Sequence, residues 1–124
     1  MSRLSEVECD QFVGCYLSCA CMGIGNIVLK FIGTKSAWID VAMNTKFQVT
    51  TQGRLELGDG ASPITISILY PVLNLAIERV TQTKTSNLEI FFEGGGTLLI
   101  LPRGDGYESY VVYLPGVAGG VVCF

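Results

Sequence analysis

The chain reads as a β-rich α+β domain: antiparallel sheets from two pseudo-repeated hairpin halves, with one short helix between them. Three observations predict this. First, Leu88-Glu89-Ile90-Phe91-Phe92-Glu93 alternates in the period-2 pattern of a strand with one buried face. Second, Gly94-Gly95-Gly96 supplies a turn, Thr97–Leu101 is a further apolar run, and Pro102 stops it because proline has no N–H for a ladder. Third, the same design stands earlier. Asn26–Gly33 is followed by Thr34-Lys35-Ser36 and Ala37–Val41, and Asn26, Phe31, Gly33 and Ile39 precede Asn87, Phe92, Gly94 and Ile100 by 61 positions.

With 124 residues the chain has the length of a single domain, 1–124. The pseudo-repeats span about 12–57 and 74–114, and the helix about 63–73. Met1–Asp10 carries Arg3 against Glu6, Glu8 and Asp10, unlike a positively charged secretory leader, and reads as a short helical N-terminus. Gln11–Leu29 has no charge, yet Gly14, Gly23, Gly25 and Asn26 argue against a membrane-spanning helix. Two buried strands, about Phe12–Met22 and Ile27–Ile32, are expected there. Strands follow at Ala37–Val41, Phe47–Thr51 and around Arg54–Leu57. Ser62-Pro63 is a helix start, with serine as cap and proline at the first helical position, and Pro71 limits its length. Leu75–Thr83, the central hairpin and Tyr107–Leu114 complete the strands. The uncharged tail Val117–Phe124 is expected as a buried last strand or in a subunit interface, because exposed it would be an aggregation-prone edge.

Composition narrows the function. The formal charge is −3 and the pI about 4.8, which argues against nucleic-acid binding and suits a basic protein partner. The chain has no histidine, so every mechanism with an imidazole base or ligand is excluded. Five cysteines, an odd number, suggest free buried thiols and a reducing, cytoplasmic setting.

Few groups offer chemistry. Cys15, Cys19 and Cys21 share parity and would face one side of a strand; with Cys9 or Cys123 they would suffice for a thiolate metal site. Their C-x3-C-x-C spacing lacks a zinc knuckle, and core packing is the expected role, with no cofactor or metal. The three glycine clusters lack the order of a phosphate loop and read as turns. Glu89 and Glu93 stand four apart on one strand face, about 13 Å at ~3.3 Å per residue, too far to act as a catalytic carboxylate pair. With Phe91 between them they make a row facing solvent or a partner. Tyr107-Glu108-Ser109-Tyr110 reads as a structural strand start. No arrangement of acid, base and nucleophile is visible, so an enzyme is not expected.

Leu88–Ile100 followed by Asp105-Gly106-Tyr107-Glu108-Ser109-Tyr110 resembles the C-terminal signature of small bacterial immunity-type proteins of polymorphic-toxin and contact-dependent growth-inhibition systems. That signature has an L-x-L-x-F strand, a glycine turn, an L-x-[VI] strand and a Tyr-Glu-Ser/Ala-aromatic strand. The first half is similar in outline at Gly14, Ile27–Phe31 and Trp38-Ile39. Tyr110 in place of tryptophan, the three-glycine turn and the cysteine-rich first strand depart from it. The resemblance implies a non-enzymatic bacterial protein that binds and neutralises a cognate toxin domain, here a basic nuclease effector. Glu89, Phe91, Glu93 and Asp105 are its expected contact residues; no nucleic acid or membrane is expected as a partner. The alternative is an assembly subunit, a homodimer for example, that associates through the C-terminal strand.

Overall fold

Inward-facing apolar residues at every second position set the architecture. The computed structural model describes residues 4–33, 38–103, 109–115 and 121–123. In chain order these form α1 (Glu6–Asp10), β1 (Tyr16–Gly23), β2 (Asn26–Ile32), β3 (Trp38–Met43), β4 (Lys46–Thr51) and β5 (Arg54–Asp59). A 3-10 helix (Pro63–Val72) follows, then β6 (Ile77–Gln82), β7 (Leu88–Phe92), β8 (Thr97–Ile100), β9 (Tyr110–Tyr113) and β10 (Val121–Cys123). The result is the predicted β-rich α+β class, with two antiparallel five-stranded sheets. Sheet A has the order β1-β2-β3-β9-β10 and sheet B the order β5-β4-β8-β7-β6. Their inner faces share one core, in which Ile27, Leu29, Phe31, Val41, Phe47, Leu88, Ile90, Leu98 and Val112 are fully buried. Among the described residues no helix is long and apolar enough to cross a membrane.

The two sheets are built alike. Strand for strand, β1-β2-β3 corresponds to β6-β7-β8, and β4-β5 to β9-β10. Each set of three is a meander, and each is completed by the hairpin of the other half: β9 lies beside β3, and β4 beside β8. Leu17 pairs with Phe31 and Cys19 with Lys30; Ile77 pairs with Phe92 and Arg79 with Phe91, so both meanders carry a one-residue bulge at the same place. The turns before them also match. Gly14 and Asn74 both have positive φ, and their N–H groups donate to Ile77 O (2.9 Å) and Leu17 O (2.8 Å) respectively. Tyr16 and Ala76 are counterparts of each other and form a bridge between β1 and β6.

The 61-position spacing holds for β2 and β7 but not beyond. Leu29 pairs with Val41 and Ile90 with Leu98, so Val41 corresponds to Leu98, and Ile39 to Gly96 rather than Ile100. Val41 follows Leu29 by 12 positions and Leu98 follows Ile90 by 8, and that difference of four moves the register.

Local chemistry explains the boundaries. In α1, Ser5 Oγ accepts from Glu8 N–H and Glu8 Oε1 accepts from Ser5 N–H, a capping box. Ser62 makes no such capping bond. Instead Thr65, one turn on, holds the preceding strand end. The segment winds as a 3-10 helix, with Pro71 inside it removing an N–H that an α-helix would need. Residues expected in a strand from Phe12 begin one only at Tyr16; Phe12 packs edge-on against Phe31, ring centroids 5.9 Å apart. The β4–β5 turn has positive φ at both Gln52 (49°) and Gly53 (80°), the primed turn that matches strand twist. Gly58 lies under the Phe47 ring, where any Cβ would collide with it.

Candidate functional site

The outward residues of sheet B line up in two rows across the strands. One row runs Leu57, Gln48, Leu99, Glu89, Thr81; the other runs Leu55, Thr50, Thr97, Phe91, Arg79. Glu89 and Phe91 sit on β7, half-buried, their neighbours Ile90 and Phe92 having turned into the core. The alternation that predicts this face therefore places both residues correctly.

Phe91 is not the exposed apolar anchor expected. The Arg79 guanidinium on β6 stacks over its ring, 4.1 Å from the centroid, a cation–π contact favoured by the ring's negative face. The bulge in β6 sets this up. Glu78 is the extra residue, and the slip it causes brings Arg79 opposite Phe91. Glu93 is not on the strand; it is exposed in the turn just beyond, with its N–H donating to Ala76 O (2.8 Å). Asp105 lies outside the described residues.

Around the Arg79–Phe91 stack is an open pocket of about 350 Å³, lined by Glu78, Phe92, Gly95, Gly96 and Thr97 in addition to the pair itself. Glu78 is on its wall, and Glu89 and Glu93 are the residues two before and two after Phe91. Among the described residues none of the three carboxylates has an ion-pair partner; the ion pairs there are Lys30–Asp40 and Arg54–Glu56. Three carboxylates thus stand against one guanidinium that is committed to a ring. Glu78 and Arg79 were missing from the sequence reading, since their role depends on the β6–β7 register. The available signal was an Arg beside a Glu in a strand that pairs with an aromatic.

Cys15, Cys19 and Cys21 do not face one side of a strand as their parity predicts. The extra residue Ser18 reverses the side on which successive residues point. Cys15 is consequently buried in the core, while Cys19 and Cys21 pair with the outward residues Lys30 and Val28. Burial pushes the Cys15 and Cys19 thiols up, away from the thiolate form that reacts or binds metal. Among the described residues no three side chains of metal-binding type converge.

Tyr110 has a structural place in sheet A. It is 1% exposed; its hydroxyl donates to Ser86 O (2.8 Å) and accepts from Gln82 Nε2 (2.8 Å), while Gln82 Oε1 accepts from Leu4 N–H (2.7 Å). Burial raises its pKa to about 12. Four chain segments are tied together through this one network.

Comparison with protein-family models, curated proteins and solved structures finds no match to this chain.

Proposed function

We propose that the protein is a non-catalytic binding module that neutralises a basic toxin domain, docking it on the Arg79–Phe91 corner of sheet B. The observation that carries this reading is the stacked pair in its pocket, with Glu78 on the wall and Glu89 and Glu93 two residues to either side of Phe91, none of the three ion-paired among the described residues. An aromatic–arginine centre with a polar rim has the composition of a binding hot spot. Unpaired acids beside it attract a cationic surface and speed its approach. The net charge of −3 points the same way, and the immunity-type resemblance supplies the class of partner.

The test begins with capture from the producer's lysate, after which the captured domain is expressed and titrated against the protein. A basic domain whose toxicity is relieved by co-expression supports the reading. Affinity should fall with salt, since the contact is partly electrostatic, and fall at least tenfold in the Glu89→Lys/Glu93→Lys double variant. Unchanged affinity in that variant removes the corner from the interface. A protein that recovers no basic partner, or that fails to relieve toxicity, loses the immunity role.

A further inference from the structure

We infer that the free edge of β5 pairs antiparallel with β5 of a second copy, joining two copies of sheet B into one ten-stranded sheet. Edge strands display unpaired N–H and C=O groups, and folded proteins protect them. Among the described residues three of the four sheet edges carry a protection. β1 and β6 each have a bulge and are bridged to one another at Tyr16 and Ala76, and β10 is only three residues long. β5 has six residues, an unbroken register with β4, and two outward leucines, Leu55 and Leu57, that are 58% and 65% exposed.

The backbone says which groups are open. Gly60 N–H donates to Thr45 O (2.8 Å), on the β4 side. Asp59 points the other way: its N–H donates to Thr65 Oγ1 (3.0 Å), and the Thr65 hydroxyl reaches Asp59 O (3.1 Å). Alternation along a strand then puts the N–H and C=O of Leu57 and Leu55 on the free edge, and they have no partner among the described residues. The 3-10 helix closes the edge at Asp59 and leaves two residues open.

Those two residues are self-complementary. Leu55 opposite Leu57 of the second copy, and the reverse, uses every open group in four hydrogen bonds. It also gathers four leucines into one apolar cluster on the outer face. On the other face Glu56 meets Glu56 of the second copy, each with its own Arg54 at 3.1 Å, so two guanidiniums neutralise two carboxylates at the centre. The occupant that matches this edge residue for residue is therefore the same strand. The Arg79–Phe91 corners remain open, at opposite ends of the joined sheet. Seven strand spacings of ~4.8 Å put them about 34 Å apart.

Sedimentation over a wide concentration range tests this, with amide exchange at Leu55 and Leu57 followed at both extremes. A dimer should appear with rising concentration, and those two amides should gain protection with it. Leu57→Pro removes an N–H that no bond among the described residues uses, which an edge strand tolerates. It should weaken the dimer roughly 10- to 100-fold by deleting two of four hydrogen bonds. Leu55→Lys leaves the backbone intact and should weaken it comparably, so the result survives if the proline variant misfolds. The Glu89→Lys/Glu93→Lys variant should dimerise normally, which separates this interface from the partner corner. A monomer at all concentrations, or a dimer indifferent to both β5 variants, overturns the inference.

Discussion

Lys30 and Phe91 occupy the same position in the two halves: opposite the first residue after the edge-strand bulge, outward, on the second strand of a meander. Around Lys30 the row runs Cys19, Lys30, Asp40, Tyr113; around Phe91 it runs Arg79, Phe91, Thr97, Thr50. In sheet A the cation is on β2, meets Asp40 at 3.2 Å and also lies over the Trp38 ring, 5.8 Å from its centroid. In sheet B it has moved to the edge strand and covers a ring, and the nearby carboxylates are left unpaired. Directly beneath, the counterparts agree: Ile27 with Leu88, Leu29 with Ile90, Phe31 with Phe92, all buried. Packing constrains the inner positions equally in both halves, whereas the outer ones are free to differ. The difference lies in the outer faces alone, where two equivalent scaffolds carry different side chains.

The comparison breaks most visibly in the core. Phe31→Ala and Phe92→Ala should each cost about 3–5 kcal/mol in denaturant unfolding, because each empties an aromatic volume from a close-packed interior. Similar losses would support equivalent packing; a gap of several kcal/mol would show that one half dominates.

Tyr110 and its counterpart Phe47 differ by one hydroxyl, so Tyr110→Phe sharpens the contrast. It removes the buried hydroxyl's bonds to Gln82 Nε2 and Ser86 O and should cost about 1–3 kcal/mol. The pH dependence has a definite sign. The folded pKa of about 12 exceeds the usual 10, so the folded state holds its proton longer. The stability from this group is complete below pH 10 and is lost as pH rises through 12. Tyr110→Phe should remove that alkaline loss, read by unfolding from pH 9 to 12.

The smallest effects come from the surface. Arg79→Ala should cost roughly 0.5–1 kcal/mol of stability, the scale of an exposed cation–π contact, yet change partner affinity. Lys30→Ala, its opposite number in sheet A, should leave partner affinity untouched. Equal effects of the two on binding would erase the distinction between the faces.

Local patterns were readable in the sequence and distant ones were not. The β7–β8 hairpin is announced by its alternation and glycine turn, and the outward direction of Glu89 and Phe91 follows from parity alone. The side on which Cys19 and Cys21 face is not announced, since the bulge at Ser18 has no distinguishing residue. The 3-10 winding of 63–72 depends on Thr65 finding Asp59 more than on any capping by Ser62. Arg79 became legible only with the register of β6 on β7. The exchange of hairpins between halves left no local trace at all, because Val49 meets Leu98, and Val41 meets Val112, across long stretches of chain.

That exchange has a consequence for how the molecule is made. On the ribosome the first half emerges with β3 and β4 both lacking the neighbours they will have. β4 must wait for β8, and β3 must wait for β9, 71 positions after Val41. Sheet B cannot close before β8 has been translated, nor sheet A before β9 and β10. Non-local pairing of this kind folds slowly, and the nascent β4–β5 hairpin, with Leu55 and Leu57 outward, spends that interval exposed to other chains. The interlock that unites the finished halves thus lengthens the time the newborn chain spends without its own partners.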